Sequence, residues 1–242
     1  MIMQTEMLYM RDCYLREFEA RVLQRGEDGG RHFVVLDKTA FYPLGGGQSS
    51  DTGTLNGIRV TSVQKDAGVV KHFTEAPVHE TLVKGAIDWD KRHTFMCMHT
   101  AQHLLSAIVL DLWGSSTAGN QIELDYSRID FNPLTPPTDF IDILTTKFNK
   151  AVDDALPVKI YFTARDEVLK SVDERRRRLF ARLPESVKEV RIVEIEGADK
   201  VPCGGTHVAN TAEIGHIRIT KVDNKGKDTI RVRFELEKTR AD

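Results

Sequence analysis

Cysteine is scarce in this chain: Cys13, Cys97 and Cys203 are the only three in 242 residues. Three thiols cannot complete a disulfide framework, so a reducing, cytoplasmic location is expected. Long apolar runs are missing too, and no membrane span is predicted from the sequence. The first twenty residues, MIMQTEMLYMRDCYLREFEA, are interrupted by Arg11, Asp12 and Glu17, which excludes a secretory signal. Charge of one sign is also lacking. Thirty-four Lys and Arg against 36 Asp and Glu leave a net charge of −2, so any nucleic-acid contact must be a local patch. There is no internal repeat and no low-complexity segment. The glycines of FYPLGGGQSSDTG are not followed by Lys-Ser/Thr, so no Walker loop is present. The His-Glu-x-x-His protease signature is absent as well, because His99 is followed by Thr100-Ala101-Gln102.

What is there reads as α+β in two parts, residues 1–89 and 90–242. With 40% apolar and 29% charged residues, the balance is that of a globular protein long enough for one or two cores. Between about Leu15 and Asp88, EFEARVLQRG, HFVVLD, IRVTSVQKD, GVVKHF and TLVKGAID alternate or are β-branched. Gly29-Gly30 and Asn56-Gly57 are hairpin signals between them, and the spacing predicts a small β-barrel. Gly45 to Gly47 allow close backbone approach in a ligand-facing loop, with a wide hairpin turn as the alternative. Lys91 to Gly114 is predicted to be one amphipathic helix, capped by Asp88 or Asp90 and ended by Gly114. NQIELDYSRIDF reads as a strand. A second helix begins at Thr138 or Asp139 and stops at Pro157, and VKIYF is the next strand. Arg165 to Arg182 looks helical, and the remainder is strand-rich.

The long helix carries His99 and His103. A four-residue helical step turns about 400° and rises about 6 Å, so both imidazoles leave one face and can chelate one ion. Far downstream, Cys203 and His207 in VPCGGTHVAN repeat the step of four. Two His with a Cys/His pair is a zinc-type donor set. Gly204-Gly205 lets the second loop bend so that both ligands point at one ion. Cys97 lies about 200° round the helix from His99 and reads as a core thiol, as does Cys13. His93 is about 120° off the chelating face. His216 falls on a polar strand face beside Arg218.

HTAQHLL, CGGTHVANTAEIG and FYPLGGGQ together resemble the editing domain of alanyl-tRNA synthetase and its free-standing relatives, the AlaX proteins. The likeness runs over nearly the whole chain, with the ligand motifs in the family's order. The chain lacks the class II aminoacylation domain and the further C-terminal domain of the long form, so it looks like the medium-length type. The resemblance implies zinc held by His99, His103, Cys203 and His207. It implies hydrolysis of tRNA(Ala) wrongly charged with serine, and also with glycine. Such an enzyme makes physical sense, because a synthetase pocket shaped for a methyl group rejects slightly different analogues only weakly.

Four protein ligands on tetrahedral zinc make a closed site, whereas catalysis usually keeps a position open. Either one of the four stands outside the inner ligand sphere, or coordination expands when substrate arrives. No separate general base is identifiable. Thr117, in the loop after the helix, can hydrogen-bond the serine hydroxyl, and Gln48 is the candidate contact at the mouth of the site. Phosphate contact is open to the Arg175–Arg178 run and to Lys91, Arg92, Lys221, Lys225 and Lys227. Three competing readings remain. One is editing of a different aminoacyl-tRNA, as in the threonyl-tRNA synthetase editing domain. Another is a tRNA-binding module whose zinc is structural, and the third is a metallohydrolase of small esters.

Overall fold

Alternating burial along the first long strand sets up the N-terminal unit. The computed structural model describes residues 4–66, 68–172, 177, 180, 183–184 and 187–237. Its contacts divide it into Met1–Met96 and Cys97–Asp242, a division that falls inside the long helix rather than at its first residue, Trp89. In the first unit, β1 (Glu6–Met7) is followed by β2 (Glu17–Asp28), β3 (Arg31–Leu36) and β4 (Lys38–Thr39). Then come β5 (Gly53–Leu55), β6 (Ile58–Asp66), β7 (Val69–Thr74) and β8 (Leu82–Ile87). Six of these pair in a ring, β2-β3-β7-β6-β5-β8, which closes because β2 pairs with both β3 and β8. Closure leaves the ring no free edge. Phe18, Ala20 and Val22 alternate inward along β2 and meet Leu36, Phe41, Leu55 and Val83 in one apolar cluster. The predicted turns at Gly29-Gly30 and Asn56-Gly57 join β2 to β3 and β5 to β6.

Helix α1 (Trp89–Trp113) starts with its Arg92 N–H bonded to the Asp88 carbonyl, and Gly114, with φ +67°, ends it. Among the described residues α1 is long and apolar enough to cross a membrane, but 78% of its most apolar stretch is buried within the protein, as a core helix would be. The Arg92 side chain corrects a reading made from the sequence. It is fully buried, not available to phosphate, and its guanidinium grips the equally buried Asp51. It also donates to the carbonyls of Cys13 at 2.9 Å and Ala40 at 2.5 Å. A buried charge is tolerated only with such complete pairing.

In the second unit, α1 is followed by β9 (Ser116–Ile122), β10 (Ser127–Asn132) and α2 (Phe140–Asp153). Next come β11 (Val158–Ala164), α3 (Arg165–Ser171), β12 (Glu189–Ile195), β13 (Asp199–Pro202), β14 (Ile217–Asn224) and β15 (Ile230–Leu236). One sheet has the order β14-β15-β10-β9 and a second the order β11-β12-β13. NQIELDYSRIDF is therefore two antiparallel strands joined by a turn at residues 123–126, not one strand. Phe140, Leu144, Phe148 and Val152 form the buried stripe of α2. Asp139 stands at its N-cap position, but its side chain accepts no capping bond. Arg177 is exposed; Arg175, Arg176 and Arg178 lie outside the described residues. The architecture is mixed α+β, as expected.

Candidate metal centre

His99 and His103 project from α1 as the helical step requires, with ring centroids 5.2 Å apart. The other half of the site comes from the loop that leaves β13. Arg191 on β12 holds Cys203 by both backbone groups. Its carbonyl accepts the Cys203 N–H at 3.2 Å, and its guanidinium donates to the Cys203 carbonyl at 2.5 Å. So fixed, Cys203 Sγ lies 3.6 Å from His99 Nε2 and 3.4 Å from His207 Nε2. The Gly205 N–H points at the same sulfur from 3.3 Å. The His207 ring centroid lies 4.4 Å from that of His99, tilted to it, and 4.6 Å from that of His103, edge-on to it. One ligand atom from each of the four residues falls within 4.8 Å of the others, so the cluster can hold a metal ion.

Gly205 is what permits this approach. A Cβ there would overlap Cε1 and Nδ1 of His99 and sit 3.2 Å from its Nε2, whereas a Cβ on Gly204 would meet nothing within 4 Å. The two glycines of the motif therefore have different jobs.

Burial governs the protonation of the three imidazoles. His99, His103 and His207 are nearly or completely inaccessible, and desolvation disfavours the cationic ring. It holds His103 at about 4, with the Arg191 charge adding to the effect. His99 and His207 are pushed well below the ordinary value by burial first, then by the neighbouring imidazoles and Arg191. All three rings are neutral at neutral pH, the form that ligates a metal. Thr100 Oγ1 lies 3.2 Å from His207 Nδ1 and accepts the Val208 N–H at 3.2 Å, so it orients that ring from behind. His103 Nδ1 is buried without a hydrogen-bond partner, and the nearest carboxylate oxygen, from Asp199, stands 3.7 Å away. An orphaned ring nitrogen among sulfur and nitrogen donors fits a site built for a metal.

The other candidate residues separate cleanly. Cys97 is buried and donates to the Glu213 carbonyl at 3.3 Å, and burial with the nearby Glu213 charge pushes its thiol up to about 12. Cys13 is likewise a core thiol. The His93 ring lies against Trp89, and His216 pairs with Asp153 at 2.7 Å, just ahead of β14 rather than within it. Thr117 is on β9, not in a loop, and its Oγ1 meets Ser106 Oγ at 2.7 Å; Gln102 Nε2 donates to the same Ser106 oxygen at 2.8 Å. Gln48 is buried in the first unit, where it exchanges two backbone hydrogen bonds with Gly45 while Gly46 and Gly47 take positive φ. Sequence reasoning missed Arg191, Asp199 and Thr100. Arg191 alone left a signal: a lone cation inside the apolar run Val190-Arg191-Ile192-Val193, a pattern a solvent-facing strand would not produce.

Comparison with known proteins agrees with this geometry. Residues 190–233 match the threonyl and alanyl tRNA synthetase second additional domain, and residues 10–91 match the class II (A) tRNA synthetases. Fold and site thus go with the class of proteins that share domains with the threonyl and alanyl tRNA synthetases. AlaX-M of Methanosarcina acetivorans, an alanyl-tRNA editing protein, is 41% identical over 96% of this chain and 99% of its own length. AlaX-M of Saccharolobus solfataricus is 38% identical with the same coverage. AlaX-L of Pyrococcus horikoshii is 35% identical over 95% of this chain but only 57% of its own. The chain belongs to the AlaX family of alanyl-tRNA editing proteins.

Proposed function

We propose that this protein is a trans-editing hydrolase that cleaves the ester joining serine, and more slowly glycine, to tRNA(Ala), with Zn2+ held by His99, His103, Cys203 and His207. The convergence of two sequence-distant chelating pairs carries the reading. Zinc–sulfur bonds of about 2.3 Å and zinc–nitrogen bonds of about 2.0 Å at a tetrahedral angle would put sulfur and nitrogen about 3.5 Å apart. The two Cys203–imidazole distances, 3.6 and 3.4 Å, support that spacing. Relatives matched end to end are named for alanyl-tRNA, which favours the alanine over the threonine system.

Zinc in this place would supply Lewis-acid polarisation of the ester carbonyl and a water made acidic enough to attack at neutral pH. The protein's own groups do the rest. Burial keeps the imidazoles unprotonated, Thr100 sets the His207 ring, and Arg191 holds the Cys203 loop in register with the helix. Thr117 is the side chain we assign to substrate contact. A hydroxyl-reading site gains discrimination because an alanine ester would leave its polar groups unpaired.

Deacylation of Ser-, Gly- and Ala-tRNA(Ala), with and without a zinc chelator, tests the proposal. Serine should be released fastest, glycine more slowly and alanine hardly at all, with the chelator abolishing release. His103→Ala should remain folded and lose activity. Equal loss of serine and alanine would refute editing. Unfolding on metal removal, with no hydrolysis by the intact protein, would instead establish a tRNA-binding module with structural zinc.

A further inference from the structure

The sheet β14-β15-β10-β9 turns Ile129, Phe131, Val232 and Phe234 into the core and leaves its other face charged. On that face three cations fall in register on adjacent strands. Arg128 stands opposite Arg233 across β10 and β15, and Arg233 opposite Lys221 across β15 and β14. Strands lie about 4.8 Å apart, so the three form a ridge about 10 Å long. Like charges directly opposite one another destabilise a sheet. Acids offset the two ends of the ridge: Asp130 lies 3.5 Å from Arg128, and Asp223 lies 2.8 Å from Lys221. Much of Asp130's capacity is taken by Arg231, which donates to it at 2.7 and 2.8 Å. The central Arg233 has no ion pair among the described residues, and its Nε is buried without a hydrogen-bond partner. Its guanidinium lies 5.9 Å from the ring of Tyr126, which stands 43% exposed in the turn between β9 and β10.

A partly uncompensated cation row beside an exposed aromatic ring matches a sugar–phosphate backbone, which offers anions at short intervals and flat bases between them. The net charge of −2 makes a local cationic ridge the more telling. We propose that this sheet face docks the tRNA backbone, with Arg128, Arg233 and Lys221 on phosphates and Tyr126 against a base or ribose. The inference rests on the editing reading for the identity of the RNA.

Binding of uncharged tRNA(Ala) is measured as salt rises from about 50 to 200 mM, for the native protein and for Arg233→Gln/Lys221→Gln. The log–log salt slope should become shallower by about 0.7–0.9 per cation removed, with weaker binding at low salt. Hydrolysis of a minimal substrate, serine esterified to adenosine, should be unchanged, because the ridge acts on the tRNA body and not on the ester. An unchanged slope in a folded double variant overturns the proposal, as does an equal loss on tRNA and on the minimal ester. If the double variant melts early, Lys221→Gln alone decides, since that side chain is 57% exposed. Failure of the native protein to release serine would sink the editing reading, while the salt slope would still judge the docking face.

Discussion

Substituting Gly205 by alanine tests the site at its tightest point. The added Cβ would overlap two atoms of the His99 ring and approach the third, Nε2, to 3.2 Å. Unstrained carbon contacts begin at about 3.5 Å, so the ring or the loop must give way by more than about 1 Å. Metal–ligand bonds tolerate deviations of only about 0.2 Å, so His99 and Cys203 can no longer serve the same ion together. Perturbing the groups that merely support a ligand lowers metal affinity by about 10–100-fold, and displacing the ligand itself should cost at least the upper figure. A 100-fold loss removes about 2.7 kcal/mol from the stability that saturating zinc confers. Overpacking adds about 1–3 kcal/mol of destabilisation in the metal-free protein. Zinc affinity by competition with a chromogenic chelator and thermal melts with and without zinc read these quantities separately. Gly204→Ala is the matched control, because its Cβ would point into open space. If Gly205→Ala binds zinc as tightly as the native chain and melts at the same temperature, the steric argument fails and with it the claimed geometry of the pairs.

Two further perturbations probe other parts of the structure. His72 is fully buried in the first unit, donates through Nδ1 to the Val34 carbonyl at 3.2 Å and meets Thr39 Oγ1 at 2.8 Å, and burial lowers its pKa to about 4. Its neutral ring thus contributes fully above the unfolded pKa of about 6.5, and the contribution is lost as pH falls towards 4. The drop amounts to about 2 kcal/mol by pH 5, and urea titrations of His72→Gln should show a stability–pH curve flatter by that amount. Asp199→Asn should lower zinc affinity about 10-fold by withdrawing a buried negative charge that stands 3.7 Å from the His103 ring. Unaltered affinity in the chelator competition would remove Asp199 from the site's support.

Short-range rules made much of this protein legible before its fold was known. A helix fixes the relative direction of residues four apart, so the shared face of His99 and His103 follows from local geometry alone. The hairpin turns at Gly29-Gly30 and Asn56-Gly57 and the apolar stripe of α2 are likewise written into neighbouring residues. Local rules failed where the deciding partner was remote. Arg92 looks like any surface cation until Asp51, forty-one positions earlier, is found against it. The period-two pattern of NQIELDYSRIDF continues through a turn, so alternation could not reveal the break between β9 and β10, and β9 begins at Ser116, ahead of the alternating run, which puts Thr117 on a strand.

The sequence by itself determined the donor types, their spacing within each pair and the family to which the motifs point. Only the tertiary structure decided that Cys203 meets His99 across a separation of 104 residues, that Arg191 clamps the loop carrying it, and that Gly205 leaves room for an imidazole. Those are long-range packing relations, and chain periodicity carries no information about which distant segment will fill the space beside a helix.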